Sequence, residues 1–170
     1  MLFRSSRIPR IADGTLVPIN QVRFPEIAGV QNPKIIPAAR QAGKSLPFLV
    51  PQVDGDGNEL SGVRTAEQVV PMATYTGWNF RNQTIGGTNN LVNLLGSQIP
   101  FSHTKAEREA KRDPRKSVEE RYSSRDAYIT AARQVEEALV KDRLLLPDDL
   151  TEVMKRIEEQ WSVASTKATQ

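Results

Sequence analysis

The chain has 170 residues, 25% charged and 38% hydrophobic, with a net charge of +3: enough for one domain with a modest core, and too little charge for a dedicated nucleic-acid binder, which concentrates basic residues on one face. It contains no cysteine and one histidine, His103, which excludes disulfides, thiol catalysis, cysteine-ligated zinc and a multi-histidine metal site within the chain. No apolar run approaches the ~20 residues needed to span a bilayer, and the basic start "MLFRSSRIPRIADG" lacks an apolar signal-peptide core, so the expectation is a soluble chain without a signal peptide, its compartment undecided.

The composition changes near His103. All 10 glycines and 9 of the 11 prolines precede it, and 14 basic and 14 acidic residues follow it. The predicted class is therefore α+β: a loop-rich, extended first part and a charge-laced helical second part. Residues 1–45 carry Pro9, Pro18, Pro25, Pro33 and Pro37. Proline removes a backbone donor and biases its predecessor towards extended conformations, so this segment is expected to lie along another surface rather than fold on itself.

Residues 46–103 form the second unit. The apolar run Leu46–Val50 leads into "DGDGN", and a second short run surrounds Leu60 and Val63. Asp-Gly and Gly-Asn tolerate positive φ, so the expectation is a β-hairpin, with Pro51 confining its strand to an edge. "EQVVPMATYTGW" adds a third extended piece. The neighbouring "MATYTGWNFR" places Tyr75, Trp78 and Phe80 together in a chain that is only 6% aromatic. Such rings can bind sugars or partners, yet a core-poor domain also needs them for packing, and packing within the core or between domains is the preferred reading.

Residues 104–162 are read as helices and 163–170 as a frayed tail. Thr104–Glu107 and Ser117–Glu120 fit the capping box, and Ser123–Asp126 approximates it. Tyr128, Ala132, Val135 and Leu139 recur at helical spacing, as do Leu150, Val153, Met154, Ile157 and Trp161. Pro147 suits a first turn, with Asp148, Asp149 and Glu152 where the helix dipole favours negative charge. The short "LLLPD" connection makes the two helices antiparallel neighbours.

Four stretches invite chemical readings. "AARQAGKS" (38–45) satisfies a relaxed P-loop pattern, but Pro37 precedes it and a strand-like "LPFLVP" follows, so a basic exposed loop is preferred. Asp54, Asp56 and Asn58 mimic the start of a calcium loop, but Glu59 and Thr65 occupy the positions that need glycine and a bidentate glutamate; a hairpin turn is preferred. Ser102 and His103 are adjacent, their side chains diverge, and no Gly-x-Ser-x-Gly elbow occurs in the chain; His103 is read as bordering the next helix. In "TKAEREAKRDPRKSVEERY" the basic residues are diluted with acid, which fits a solvated, salt-bridged face better than a phosphate stripe. No catalytic, cofactor-binding or metal-ligating residue is assigned.

Taken in order, "SRIPRIADGTLVP" (6–18), "VRFPEIAGV" (22–30), "VPQVDGDGNELSGVRTAEQVVPMATYTGWNFR" (50–81), "GSQIPFSHTKAER" (96–108), "DPRKSVEERY" (113–122) and "LLLPDDL" (144–150) resemble the C-terminal part of the large bacterial-type α/β-hydrolase domain-containing proteins, an esterase family. The resemblance implies a piece of a larger α/β-hydrolase fold, with an upstream catalytic body carrying the Gly-x-Ser-x-Gly nucleophile, an acidic partner and a histidine. It implies that body as the partner, no cofactor, and an upstream export signal in longer relatives. On this reading Tyr75 and Trp78 line an interface or the substrate entrance. The competing reading is a non-catalytic helical interaction module docking through Leu150, Ile157 and Trp161. A third is independent hydrolysis using His103.

Overall fold

The computed structural model describes residues 14–18, 21, 24–28, 49–86, 90–92 and 94–165. The Ala38–Ser45 stretch, Leu46–Phe48 and most of the proline-rich segment lie outside the described residues. The chain is mixed α and β. Strands β1 (Leu16–Pro18) and β2 (Leu49–Pro51) pair antiparallel, as do β3 (Ala73–Thr76) and β4 (Ser97–Pro100). The helices are α1 (Ala66–Val69), α2 (Lys105–Lys111), α3 (Val118–Arg121), α4 (Arg125–Lys141) and α5 (Leu150–Ser165).

The expected hairpin between the runs at 46–50 and 60–63 forms in part, close to its turn, where Leu60 N donates to Gln52 O at 2.8 Å. "DGDGN" does turn the chain: Asp54 N donates to Asn58 O at 2.8 Å, and Val53 bridges Glu59. Leu49–Pro51, however, pairs with Leu16–Pro18. Proline can close either strand of so short an edge pair, because it withholds a donor only on one side. Of "EQVVPMATYTGW", residues 73–76 are a strand as expected, whereas Ala66–Val69 form a helix.

Helix starts follow the capping chemistry. Thr104 and Ser117 both close reciprocal capping boxes, with Glu107 and Glu120. The third cap is Ser124 rather than Ser123: its Oγ accepts from Ala127 N at 3.1 Å. Arg112 (φ 53°) and Arg143 (φ 59°) close α2 and α4 in the left-handed conformation. Early α4 meets late α5, through Arg125–Glu158 at 2.8 Å and Tyr128 Oη to Gln160 at 3.5 Å, so the helix pair is antiparallel. α5 continues to Ser165, beyond the expected start of the tail.

The core lies where β3, β4 and α1 meet α3, α4 and α5. Ala66, Met72, Phe101, Val118, Tyr128, Ala132, Met154 and Ile157 are buried there, with Tyr122, Leu150 and Trp161 packed against them. Tyr122, Tyr128 and Trp161 form an aromatic triangle with centroid separations of 5.1, 5.4 and 6.4 Å. The face carrying Leu150, Ile157 and Trp161 is thus spent on the chain's own core, which corrects the reading of that face as a free docking surface.

Candidate functional site

The site around "MATYTGWNFR" starts from a turn. Asp54 Oδ1 accepts from Asp56 N (2.9 Å) and Asn58 N (3.0 Å), an Asx turn that fixes the loop. Gly57 adopts φ +84°, and a Cβ there would sit 3.0 Å from Phe24 and Thr74 and 3.1 Å from Pro25. That close approach delivers Asn58, fully buried, to the outer edge of β3. Its Nδ2 donates to Ala73 O (3.2 Å) and its Oδ1 accepts from Tyr75 N (2.8 Å). One side-chain amide thereby replaces a neighbouring strand. Asp54, Asp56 and Asn58 are directed at three different partners: Arg64, Arg121 and β3.

The same sheet is also held by Arg115, only 3% exposed. Its Nε and Nη2 grip both oxygens of Asp113 (2.9 and 2.6 Å), its Nη1 donates to Thr74 Oγ1 (2.8 Å) and Ile99 O (2.9 Å), and its Nη2 also reaches Pro100 O (3.3 Å). Thr74 Oγ1 in turn donates to Asp56 O. Arg121 pairs with both carboxylate oxygens of Asp56, and the two guanidinium carbons lie 5.0 Å (Arg115) and 4.2 Å (Arg121) from the Phe101 ring centroid. Burial pushes the Asp113 carboxyl up, but the bonds and charge from Arg115 outweigh it and hold the group below the usual carboxylate range. The charge run at 105–121 is therefore not uniformly a solvated face: Lys105, Glu109 and Lys111 are exposed as expected, while Asp113 and Arg115 are buried. The sequence break at Asp113-Pro114, which ends the helical period, was the available signal.

Tyr75 and Trp78 are both half-buried and face different neighbours. Trp78 packs between Phe24 (5.3 Å) and Phe80 (5.5 Å). Its carbonyl accepts from Thr76 Oγ1 (2.5 Å) and Ser97 Oγ (3.1 Å). The chain passes so close here that a Cβ on Gly96 would lie 2.2 Å from Thr76 O. Tyr75 turns towards Glu67 and Gln98. Burial and the Glu67 charge push its phenol up to about 12, against a smaller opposing effect of Gln98. At neutral pH the phenol keeps its proton and is not a base, and its Oη is buried without a hydrogen-bond partner among the described residues.

Ser102 and His103 do not pair. Ser102 Oγ and His103 Nδ1 are buried without a hydrogen-bond partner among the described residues. Their carbonyls instead accept from Val118 N (3.0 Å) and Glu119 N (3.1 Å), and His103 N donates to Glu107 (2.9 Å). His103 borders α2, as its position suggested. Its backbone N–H bond to Glu107 is the main reason that carboxyl sits below its ordinary range.

Glu136, on the apolar stripe of α4, is a buried carboxylate that sequence reasoning missed. Its Oε1 accepts from Ala66 N at 2.7 Å, capping α1 where Thr65 makes no side-chain cap. Burial pushes this carboxyl up; the Ala66 bond opposes the shift and Glu67 adds to it.

Compared with known proteins, residues 22–155 match a family model described as an alpha/beta hydrolase domain. No curated protein and no solved structure matches the chain.

Proposed function

Because the chain belongs to the α/β-hydrolase domain family, we propose that it is the C-terminal portion of such a hydrolase and completes a nucleophile-bearing body that cleaves carboxylic esters or related acyl bonds. The observation that carries this reading is how the matched span spends its polar groups. Asp54, Asp56, Asn58, Asp113, Arg115 and Arg121 bond to one another and to the backbone of β3 and β4. They hold a scaffold rather than face a substrate. Serine-based acyl transfer needs a nucleophile, a base and an oxyanion hole, and no cofactor. In this fold the nucleophile sits on a Gly-x-Ser-x-Gly elbow, a motif this sequence does not contain.

The proposed partner is therefore the catalytic body itself, with Tyr75 and Trp78 at the junction or the substrate entrance. Nucleic acid is not the proposed partner, given a net charge of +3, and no helix among the described residues is long and apolar enough to cross a membrane.

The test is p-nitrophenyl ester hydrolysis by the chain alone and with a nucleophile-bearing body from a longer family member. The expected result is background turnover alone, unchanged in His103→Ala, and turnover with the body that rises when the chain is added. A rate for the isolated chain that His103→Ala removes would overturn the proposal, as would a body indifferent to the chain.

A further inference from the structure

Glu136 sits on the apolar stripe of α4 and is 1% exposed. A carboxylate in such a place needs a cation or several donors to stay ionised. No ion pair holds it among the described residues. Ala66 N donates to its Oε1 at 2.7 Å, and the charge it feels is the like charge of Glu67. The neutral acid can keep the same contact, since its carbonyl oxygen still accepts.

The helix that Glu136 caps is otherwise weakly held. α1 is four residues long, Thr65 gives it no side-chain cap, and Ala66 is its one buried residue. Gln68 N and Val69 N donate to Thr65 O, and Val70 N to Ala66 O. A helix of this length does not persist in water by itself. The chain on either side is anchored separately. Arg64 Nη2 donates to Asp54 Oδ2 at 3.1 Å and to Gln68 O at 2.7 Å. Tyr122 Oη donates to Pro71 O at 2.8 Å, and Phe101 N to Met72 O at 3.1 Å. Residues 65–70 are thus a short segment between two fixed points, docked on α4 and β3, with a side chain of α4 holding its N-terminal end.

We propose that Glu136 is a pH-sensitive latch: protonated, it holds residues 65–70 against α4, and ionised, it lets them open locally while the core between α4 and α5 stays closed. The inference is independent of the function proposed above.

The sign follows from burial. Desolvation pushes the Glu136 carboxyl up; the Ala66 bond opposes the shift and Glu67 adds to it. In the open segment the carboxyl is hydrated and returns towards the ordinary value of ~4.3. The closed form therefore binds the proton more tightly. Closure is strongest below that ordinary value and weakens as pH rises through the raised one. The other groups packed here do not supply this response. Tyr75 on β3 and Tyr128 on α4 feel the same Glu67 charge, but burial pushes both phenols up, so they stay protonated across the neutral range. Arg64 is engaged by Asp54. α5 brings Met154 and Ile157 to this core rather than a charged group.

The experiment measures amide exchange of the full chain by NMR from about pH 4 to about pH 8, with the intrinsic exchange rate at each pH divided out. The opening constant of the Ala66 and Val70 amides is expected to rise by up to about tenfold per pH unit above ~4.3 and to level off once Glu136 is ionised in the closed form. It should exceed that of Met154 and Ile157 in α5 by at least about tenfold at every pH, which marks the opening as local. Glu136→Gln keeps an acceptor but cannot ionise, so its opening constant should stay near the wild-type acid value throughout. Should that variant fail to fold, the carboxyl carbon shift of Glu136 in the wild type decides: its midpoint should lie above ~4.3 and coincide with the levelling of the opening constant. A pH-independent opening constant in the wild type, a rise that survives in Glu136→Gln, or a carboxyl midpoint at or below the ordinary value would overturn the latch. Equal opening constants in α1 and α5 would overturn it too, because the event would then be global unfolding.

Discussion

Replacing Arg115 tests the scaffold most directly. Arg115→Ala removes the donors that satisfy both oxygens of Asp113, Thr74 Oγ1, Ile99 O and Pro100 O. Asp113, itself 7% exposed, keeps the backbone N–H of residue 115 at 2.9 Å. Breaking a buried ion pair from one side costs ~3–5 kcal/mol, and the surviving backbone bond places this case near the lower end, about 3 kcal/mol. Against a typical total of ~5–15 kcal/mol, that is a large fraction. Urea unfolding followed by the fluorescence of Trp78 and Trp161 should show the midpoint falling by roughly 1.5 M. Arg115→Lys should fall between, since an ammonium cannot grip both carboxylate oxygens in a plane. Asp113→Asn/Arg115→Met should cost less than Arg115→Ala, because no buried charge is left alone. The pH dependence gives a second readout. Arg115 depresses the Asp113 pKa in the folded state, so this contribution is present above the unfolded value of ~3.9 and is lost as pH falls through the folded one. Arg115→Ala should remove that acid sensitivity. A loss below about 1 kcal/mol, the worth of a solvated surface pair, would show that the guanidinium is solvated and refute the reasoning.

The remaining predictions concern neighbouring contacts. Burial raises the Glu136 pKa, so its contribution to stability is fully present below the unfolded value of ~4.3 and is lost as pH rises through the folded one. Glu136→Gln, which keeps an oxygen for Ala66 N, should therefore raise the melting temperature at pH 8 and leave it nearly unchanged at pH 4; a lower melting temperature at pH 8 contradicts the sign. Gly57→Ala should destabilise by at least ~1–2 kcal/mol in urea unfolding, from the left-handed backbone alone, with the 3.0 Å approaches to Phe24 and Thr74 adding to it; a neutral result would remove the close-approach argument. Asn58→Asp sets a carboxylate oxygen against Ala73 O and should cost ~2 kcal/mol, more than the same change at exposed Asn90, and equal losses at the two positions would count against the edge-closing role.

What the sequence revealed depended on the range of the interaction. Helices α2 to α5 were legible because their causes are local: Thr104 and Ser117 cap within four residues, and the Tyr128–Leu139 and Leu150–Trp161 stripes follow one helical period. Ser124 in place of Ser123 is the one-residue uncertainty inherent in helix ends. The pairing of Leu49–Pro51 with Leu16–Pro18 was not legible, since a two-stranded edge pair of three residues each has no periodicity to read and its partner is more than thirty residues away. Glu136 was hidden inside a helical stripe, where only the arrival of the α1 N-terminus explains a carboxylate. Arg115 was hidden among charges that are mostly exposed, because composition describes a run while burial is decided one residue at a time. Tyr75 and Trp78 were noticed as a cluster, yet the structure separates them: Trp78 stacks with Phe24 and Phe80, and Tyr75 turns to Glu67 and Gln98.

The same distinction bears on what a recognisable block can mean. "DGDGN" and "DPRKS" lie far apart in sequence, yet they hold one small sheet together, through Asn58 and through Arg115. Each makes a demand that few residue types meet: positive φ at Gly57, both an amide donor and an acceptor at 58, a planar fork at 115, and no Cβ at Gly96 beside Thr76 O. Such demands produce a distinctive string without any chemistry being performed there. A family match built on these blocks therefore identifies architecture, while activity depends on a site. The groups that make the architecture, Asn58, Asp113 and Arg115 among them, are consumed in making it.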